Sequence, residues 1–210
     1  MLLETIRVEH GRAWRLERHH ERMQRSAGEL GFNAPSWGEL RDAIDRVLEE
    51  RILPDPGRYK VRLIYREKIL QVKAQRYAIP HPLSAVVVEA GELAYRHKLA
   101  DRAALNELQA TVGPHSVVIF ARDGLLTDCL YANLVADDGR QWLTPKSPLL
   151  PGVMRAELLE SGRMQPADIP AAELHEHSRL LLINALLDPG EVTIRTSAVE
   201  QRFAASAPKV

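Results

Sequence analysis

Lys98 is the side chain with the clearest claim to chemistry. It follows Tyr95, Arg96 and His97 and precedes Arg102. Positive charge crowded around an amine lowers its pKa, which a nucleophilic or imine-forming lysine requires. Few other amines compete, because only 6 of the 28 basic residues are lysine. The plain alternative is a solvated lysine in a basic turn. Asp128 comes next, after the turn pair Asp123 and Gly124 and ahead of an apolar strand. A carboxylate at the edge of a strand pair can serve a buried cation, or it can simply close a turn on its own backbone.

Two features could hold an anion, and a third is a general ligand position. Pro151 and Gly152 open a helix at Val153 and Met154, whose first N–H groups have no partner within the helix and are aided by its dipole. An ordinary helix start would look the same. The first helix carries Arg18, Arg22 and Arg25, and arginine is the natural bidentate partner of phosphate. A solvated face paired with Glu17 and Glu21 is the competing reading. The apolar run at 180–183 ends in Asn184 and Ala185, a strand end of the kind where ligands gather; a turn-forming asparagine is the alternative.

Whole-chain properties limit the function classes. The 210 residues carry 28 Lys+Arg against 28 Asp+Glu, without the positive surplus that nucleic acid or a polybasic membrane contact demands. The longest apolar runs fall far short of the roughly 20 residues of a membrane helix. Residues 1–16 are interrupted by Glu4, Arg7, Glu9, Arg12 and Arg15, unlike a secretory signal, so a cytoplasmic location is expected. The single Cys129 excludes an internal disulfide and a cysteine metal site, and no metal is expected. Neither a dinucleotide fingerprint nor a P-loop occurs.

These residues need elements to position them. Residues 2–8 alternate as a strand and turn at residues 9–12. Leu16, His20, Met23, Ala27 and Leu30 repeat as a helix that stops at Gly31. Ser36 and Glu39 have capping-box spacing for a second helix ending before Pro54, and strands are expected at 58–66 and 69–77. Pro80, His81 and Pro82 mark a linker, giving domains over 1–80 and 83–210. The second domain should hold strands near 83–89, 117–121, 131–137, 141–144, 179–183 and 191–196. It should also hold helices after Asp101, at 151–152, and after a cap at Asp168 with Pro170 in the first turn. Strands outnumber helices and hairpin connections dominate, so the class is α+β with mixed sheets.

Taken in order, several motifs form a specific set: residues 4–8 with Gly11, residues 16–22, His97 with Lys98, residues 123–128 leading to Ala132, Asn133 and Leu134, then 143–145, 149–155 and 183–186. On these the sequence resembles the class IV aminotransferases. These are the fold-type IV pyridoxal-phosphate (PLP) enzymes, which include branched-chain and D-amino-acid aminotransferases and 4-amino-4-deoxychorismate lyase. The resemblance covers nearly the whole chain. It is nearest to the lyase-like branch, from Val153, Met154 and Arg155 after Pro151 and Gly152, and from Asn184, Ala185 and Leu186.

The resemblance implies a two-domain α+β fold with a small α/β domain and a larger mixed-sheet, barrel-like domain. It implies that Lys98 forms a Schiff base with PLP and shuttles the substrate Cα proton, and that Asp128 pairs with the pyridinium nitrogen. Arg22, the N–H groups of Val153 and Met154, and the Asn184–Ala185 corner would hold the phosphate. Arg7, Arg66 and Arg96 are candidates for a substrate carboxylate. A homodimer is implied, acting on a small amino-acid-like substrate, with pyruvate elimination to 4-aminobenzoate, a step of folate biosynthesis, as the favoured reaction. Branched-chain or D-amino-acid transamination is one alternative, and a PLP-binding or relic scaffold without strong catalysis is another. The chain departs from the family in having Asp128 where glutamate is usual, and in a tight turn at Arg66, Glu67 and Lys68 in place of a glycine-rich loop. Ala103 and Ala104 stand where some members carry tyrosine, and the chain is expected to begin just after a further N-terminal segment that the family has.

Overall fold

The computed structural model describes residues 1–49, 57–91, 93 and 95–202. Alternation at the start of the chain forms β1 (Leu2–Glu9). Leu2, Ile6 and Val8 share one face and are buried in a common core, and Glu4 falls on that same face. His10 and Gly11, with φ of 52° and 69°, turn the chain into β2 (Arg12–Ala13). Two successive left-handed residues suit the right-handed twist of a tight hairpin. The helical period gives α1 (Leu16–Glu29), which ends as its Gly31 predicts. The Phe32 N–H donates to the Ala27 carbonyl at 3.0 Å and the Gly31 N–H to that of Gly28 at 3.2 Å, a Schellman closure.

The capping box also forms. The Ser36 N–H and Oγ–H each donate to Glu39 Oε2 at 2.8 Å, and the Glu39 N–H donates back to Ser36 Oγ at 3.3 Å, starting α2 (Trp37–Glu49). Its expected end before Pro54 lies outside the described residues. With β3 (Arg58–Tyr65) and β4 (Ile69–Arg76), the antiparallel sheet has the order β2-β1-β3-β4. Met23 of α1 and Leu40, Ile44 and Val47 of α2 pack with Tyr59, Val61, Leu63 and Tyr65 of β3 in its core.

Two compact units emerge from the chain's own contacts. The first joins Met1–Ala78 to a distant segment, His97–Asp101. The Leu3 N–H donates to the Lys98 carbonyl at 2.9 Å and the Ala100 N–H to the Met1 carbonyl at 3.1 Å, while Leu2 and Leu99 form an antiparallel bridge. Lys98 is thus tied by its main chain to the start of β1.

The second unit comprises Ile79–Arg96 and Arg102–Val210. In chain order it contains β5 (Ser84–Glu89), α3 (Ala103–Ala110), β6 (Ser116–Arg122), β7 (Leu125–Cys129), β8 (Asn133–Asp137) and β9 (Trp142–Pro145). Then follow α4 (Val153–Glu160), β10 (Gln165–Ala167), β11 (Arg179–Ile183), β12 (Thr193–Arg195) and β13 (Val199–Arg202). The strands make one mixed sheet of order β10-β9-β8-β7-β6-β5-β13, with β11 pairing both β8 and β12. Strands β5 and β6 are parallel and β6 and β7 antiparallel, so the α+β class with mixed sheets is what the chain adopts.

Four strands, β2, β7, β10 and β13, lie outside the expected set, β2 being only the two-residue return of the first hairpin. Leu126 to Cys129 are buried on both faces, so β7 lacks the alternation that reveals a strand. β10 is three residues long, and β13 is a mostly exposed strand paired in parallel to β5. The strand expected from residue 131 starts at Asn133, because a turn intervenes in which the Cys129 N–H donates to the Ala132 carbonyl at 2.9 Å. The helix expected after an Asp168 cap is a 3-10 helix, Ala171–Glu176, whose N-cap position is Pro170, without a side-chain cap. Asp168 instead faces Lys146 at 4.0 Å.

Candidate active site

Within the first unit, β1 and α1 bury a polar cluster in an otherwise apolar interior. Glu4 is 1% exposed, His19 0% and Arg22 5%. Arg22 Nε donates to Glu4 Oε1 at 2.9 Å and its Nη2 to Oε2, a bidentate fork on one carboxylate. His19 Nδ1 lies 2.6 Å from the same Oε2. Burial would raise the Glu4 pKa, but the Arg22 charge and the His19 and Arg22 hydrogen bonds more than offset it, and the carboxyl is held at about 2. Burial lowers the His19 pKa, opposed by Glu4 and reinforced by the charges of Arg22 and Lys98. An ionised Glu4 accepts, so the neutral imidazole carries its proton on Nδ1. His19 Nε2 is then a buried acceptor with no hydrogen-bond partner among the described residues. Burial and the Glu4 charge also raise the Tyr65 phenol. Lys98, half-buried, reaches this cluster through its charge.

In the second unit, Asp128 is 5% exposed and sits opposite Asn133, the single register pair that joins β7 to β8. The Asn133 side-chain N–H donates to Asp128 Oδ1 at 2.6 Å and to the Leu150 carbonyl at 2.8 Å. The Leu150 N–H donates to Asp128 Oδ2 at 2.7 Å. Burial pushes the Asp128 carboxyl up to about 7 despite these donors and the charge of Arg155. Arg155 is itself buried, donates from Nη2 to the Pro145 carbonyl at 2.8 Å, and keeps an Nε that has no hydrogen-bond partner among the described residues. Gly152 is required by space: a Cβ there would stand 2.1 Å from Asn133 Oδ1. Gly152 also precedes the buried Val153 and Met154 at the start of α4, with no side-chain cap, so the first N–H groups of that helix have no capping side chain. Next to Asp128, the Cys129 thiol is pushed up to about 12 by burial and is no nucleophile.

The remaining candidates are placed as follows. The Asn184 side chain serves its own neighbourhood, donating to the Tyr131 carbonyl at 3.0 Å and accepting from the Leu186 N–H at 2.7 Å. Ala185 is buried beside it. Arg7 is buried, paired with Glu9 and stacked 4.8 Å from the Trp14 ring centroid. Arg66 lies at the opposite end of the β1–β3 pair, on the β3–β4 turn, with Glu67 at 3.1 Å and the Phe32 ring at 5.8 Å, so the structure does not bring Arg7 and Arg66 together. Arg96 is exposed.

Sequence reading missed Glu4, His19, Asn133, Gly152 and Arg155 as site components. Glu4 gave the clearest signal: a charged residue in register with Leu2, Ile6 and Val8 on a buried strand face needs a partner. His19 and Arg22 are three apart on the helix that supplies it. The approach of Gly152 to Asn133 is a tertiary fact with no local signature.

Chemically, one cluster offers a rigidly held cation near a lysine, and the other offers a buried carboxyl lacking a full positive partner beside uncapped helix N–H groups. A sequence profile described as Amino-transferase class IV matches residues 1–193. An uncharacterized protein of Haemophilus influenzae is 27% identical over 188 residues, 88% of this chain and 97% of the relative. A solved structure provisionally named 4-amino-4-deoxychorismate lyase, from Haemophilus somnus, is 26% identical, covers 88% of this chain and 95% of its own, and superposes with a TM-score of 0.74. The PLP-bound form of a hypothetical aminotransferase from Mycobacterium tuberculosis, 20% identical, shares the fold over 99% of this chain and 84% of its own, with a TM-score of 0.79. With 193 of 210 residues inside the family profile, the chain belongs to the amino-transferase class IV family of PLP-dependent enzymes.

Proposed function

We propose that this chain binds PLP and eliminates pyruvate from 4-amino-4-deoxychorismate to leave 4-aminobenzoate. The observation that carries the reading is the Asp128 carboxyl, buried, oriented by Asn133 and the Leu150 N–H, and pushed up to about 7 by that burial, so that a cation brought against it would be stabilised. A pyridinium N–H is such a cation, so the residues present fit the cofactor. The likeness to the Haemophilus somnus protein named as a lyase supports the choice of reaction.

PLP, when bound, supplies an electron sink for the bonds at the carbon bearing the substrate amine. The chain's own residues take these roles. Lys98 carries the cofactor, and its Nζ accepts the proton from that carbon, the general-base step. As the C–O bond breaks and the ring becomes aromatic, a proton returns to the departing enolpyruvyl methylene, so substrate atoms are partitioned between 4-aminobenzoate and pyruvate without added water. Asp128 stabilises positive charge on the ring nitrogen. Arg22, the N–H groups of Val153 and Met154, and the Asn184–Ala185 turn hold the phosphate. Of the three arginines considered for the substrate carboxylates, Arg96 and Arg66 are exposed, whereas Arg7 is buried against Glu9 and lies away from Arg66. The functional domains in this proposal are 1–80 and 83–210, apart from the segment His97–Asp101, which packs with the first, and the enzyme is a cytoplasmic homodimer.

Transamination of branched-chain or D-amino acids shares the first half of this chemistry and is the second reading, favoured by the common fold with aminotransferases. One set of measurements separates the readings. The purified protein is expected to absorb in the visible range and to be labelled at Lys98 after borohydride. Pyruvate and 4-aminobenzoate should appear in equal amounts from aminodeoxychorismate. Conversion to the pyridoxamine form by amino acids, with no 4-aminobenzoate released from aminodeoxychorismate, would replace lyase by transaminase. A colourless protein unlabelled at Lys98 would overturn both and leave a scaffold.

A further inference from the structure

The Glu4–His19–Arg22 cluster goes beyond the roles assigned above. An arginine side chain carries about 2 kcal/mol of rotamer entropy, so one that must meet a phosphate in a fixed direction benefits from being ordered beforehand. Here Glu4 grips Nε and Nη2 together, which fixes the orientation of the guanidinium plane. Glu4 is itself ordered by the His19 Nδ1–H, which reaches the oxygen shared with Arg22. We infer that Glu4, buttressed by His19, is a positioning residue that fixes the Arg22 guanidinium for the phosphate of the cofactor; this rests on the PLP reading above.

Two observations set the cluster apart from a pair kept for stability. A buried ion pair loses much of its attraction to desolvation, and well-packed apolar side chains of similar volume are often as stabilising or more so. The surrounding core of Leu2, Ile6, Met23, Leu40 and Leu63 is of that apolar kind. His19 also leaves Nε2 buried without a hydrogen-bond partner among the described residues, a cost that leucine at the same place would avoid. The cluster therefore retains polar groups where packing alone would discard them.

The test compares PLP with pyridoxal, which lacks only the phosphate, by titrating each into full-length protein and following visible absorbance. Arg22→Met is expected to weaken PLP by about 10- to 100-fold and pyridoxal little, the range for hydrogen bonds to a charged group. Glu4→Gln and His19→Leu should each weaken PLP by about tenfold while leaving pyridoxal affinity within about twofold. His19→Asn, whose side-chain N–H occupies the place of Nδ1–H, should restore PLP binding. If Glu4→Gln fails to fold, the His19→Leu and His19→Asn pair decides the matter alone. Equal weakening of PLP and pyridoxal, or unchanged affinity for both, would reduce the cluster to a structural one while leaving the PLP reading intact. A parent protein that takes up neither compound at Lys98 would overturn that reading and the inference with it.

Discussion

The buried carboxyl of Asp128 should make the cofactor-free protein lose stability as pH rises through neutrality. Its pKa moves from an ordinary 3.8 to about 7 in the folded chain. Below the lower value both states are protonated; between the two, only the folded state keeps the proton; above 7 neither does. The stabilisation is therefore fully present in acid and lost as pH climbs. At about 1.4 kcal/mol per pH unit, the loss is about 2.7 kcal/mol from about pH 5 to about pH 8. His19 acts in the opposite sense, because its folded pKa is lowered and the unfolded imidazole takes up a proton below about pH 6.5. That contribution cancels when Asp128→Asn is compared with the parent at each pH. The asparagine shifts stability by a constant, since its amide meets the Asn133 N–H and the Leu150 N–H differently, but it removes the titration. Urea unfolding after hydroxylamine treatment, with both midpoint and slope fitted, should show the variant gaining on the parent by about 2–3 kcal/mol across this range. Adding PLP should flatten the parent's curve by supplying a cation. Parallel curves for variant and parent would refute the reasoning, because they would mean that Asp128 titrates alike in the folded and unfolded chain.

Gly152→Ala places a Cβ against Asn133 Oδ1 and should cost about 1–3 kcal/mol in chemical denaturation, with weaker PLP binding as Asn133 leaves Asp128. Gly28→Ala, at an exposed α1 position with nothing within 4 Å of the new Cβ, should instead stabilise by about 0.5–1 kcal/mol in the same assay. Ser36→Ala removes the hydroxyl that accepts from the Glu39 N–H and should lower the thermal midpoint by no more than a few degrees, with PLP affinity unchanged. Lys98→Ala should abolish both the visible absorbance and the borohydride label while leaving the thermal midpoint of the cofactor-free protein close to that of the parent, because the main-chain bonds of residue 98 do not need its side chain.

Local rules served best where the determinant is local. The hairpin at His10 and Gly11, the Schellman end at Gly31 and the box at Ser36 and Glu39 are each set by a few neighbouring residues, and each formed as read. β7 escaped because both its faces are buried, and β13 because its contribution is main-chain pairing to a distant strand. The candidate site was legible as residue types, Lys98, Asp128 and Arg22, but not as an arrangement. What orders Asp128 is a side chain five residues on and a backbone N–H twenty-two residues on, and what orders Arg22 is a glutamate on a preceding strand. Such partners are chosen by burial, which a linear pattern reports only indirectly, as with the charge of Glu4 among aliphatic neighbours.

The attachment of Lys98 to β1 has a practical consequence. Although 97–101 is a short insertion in sequence terms, its peptide groups complete the opening of a strand, with the Leu3 and Ala100 amide protons occupied across the join. Those two protons should be withdrawn from solvent together and released together, so their deuterium uptake is a ligand-independent gauge of how firmly the lysine is seated. Deleting Leu2 and Leu3 would remove the lysine's anchorage without touching its side chain.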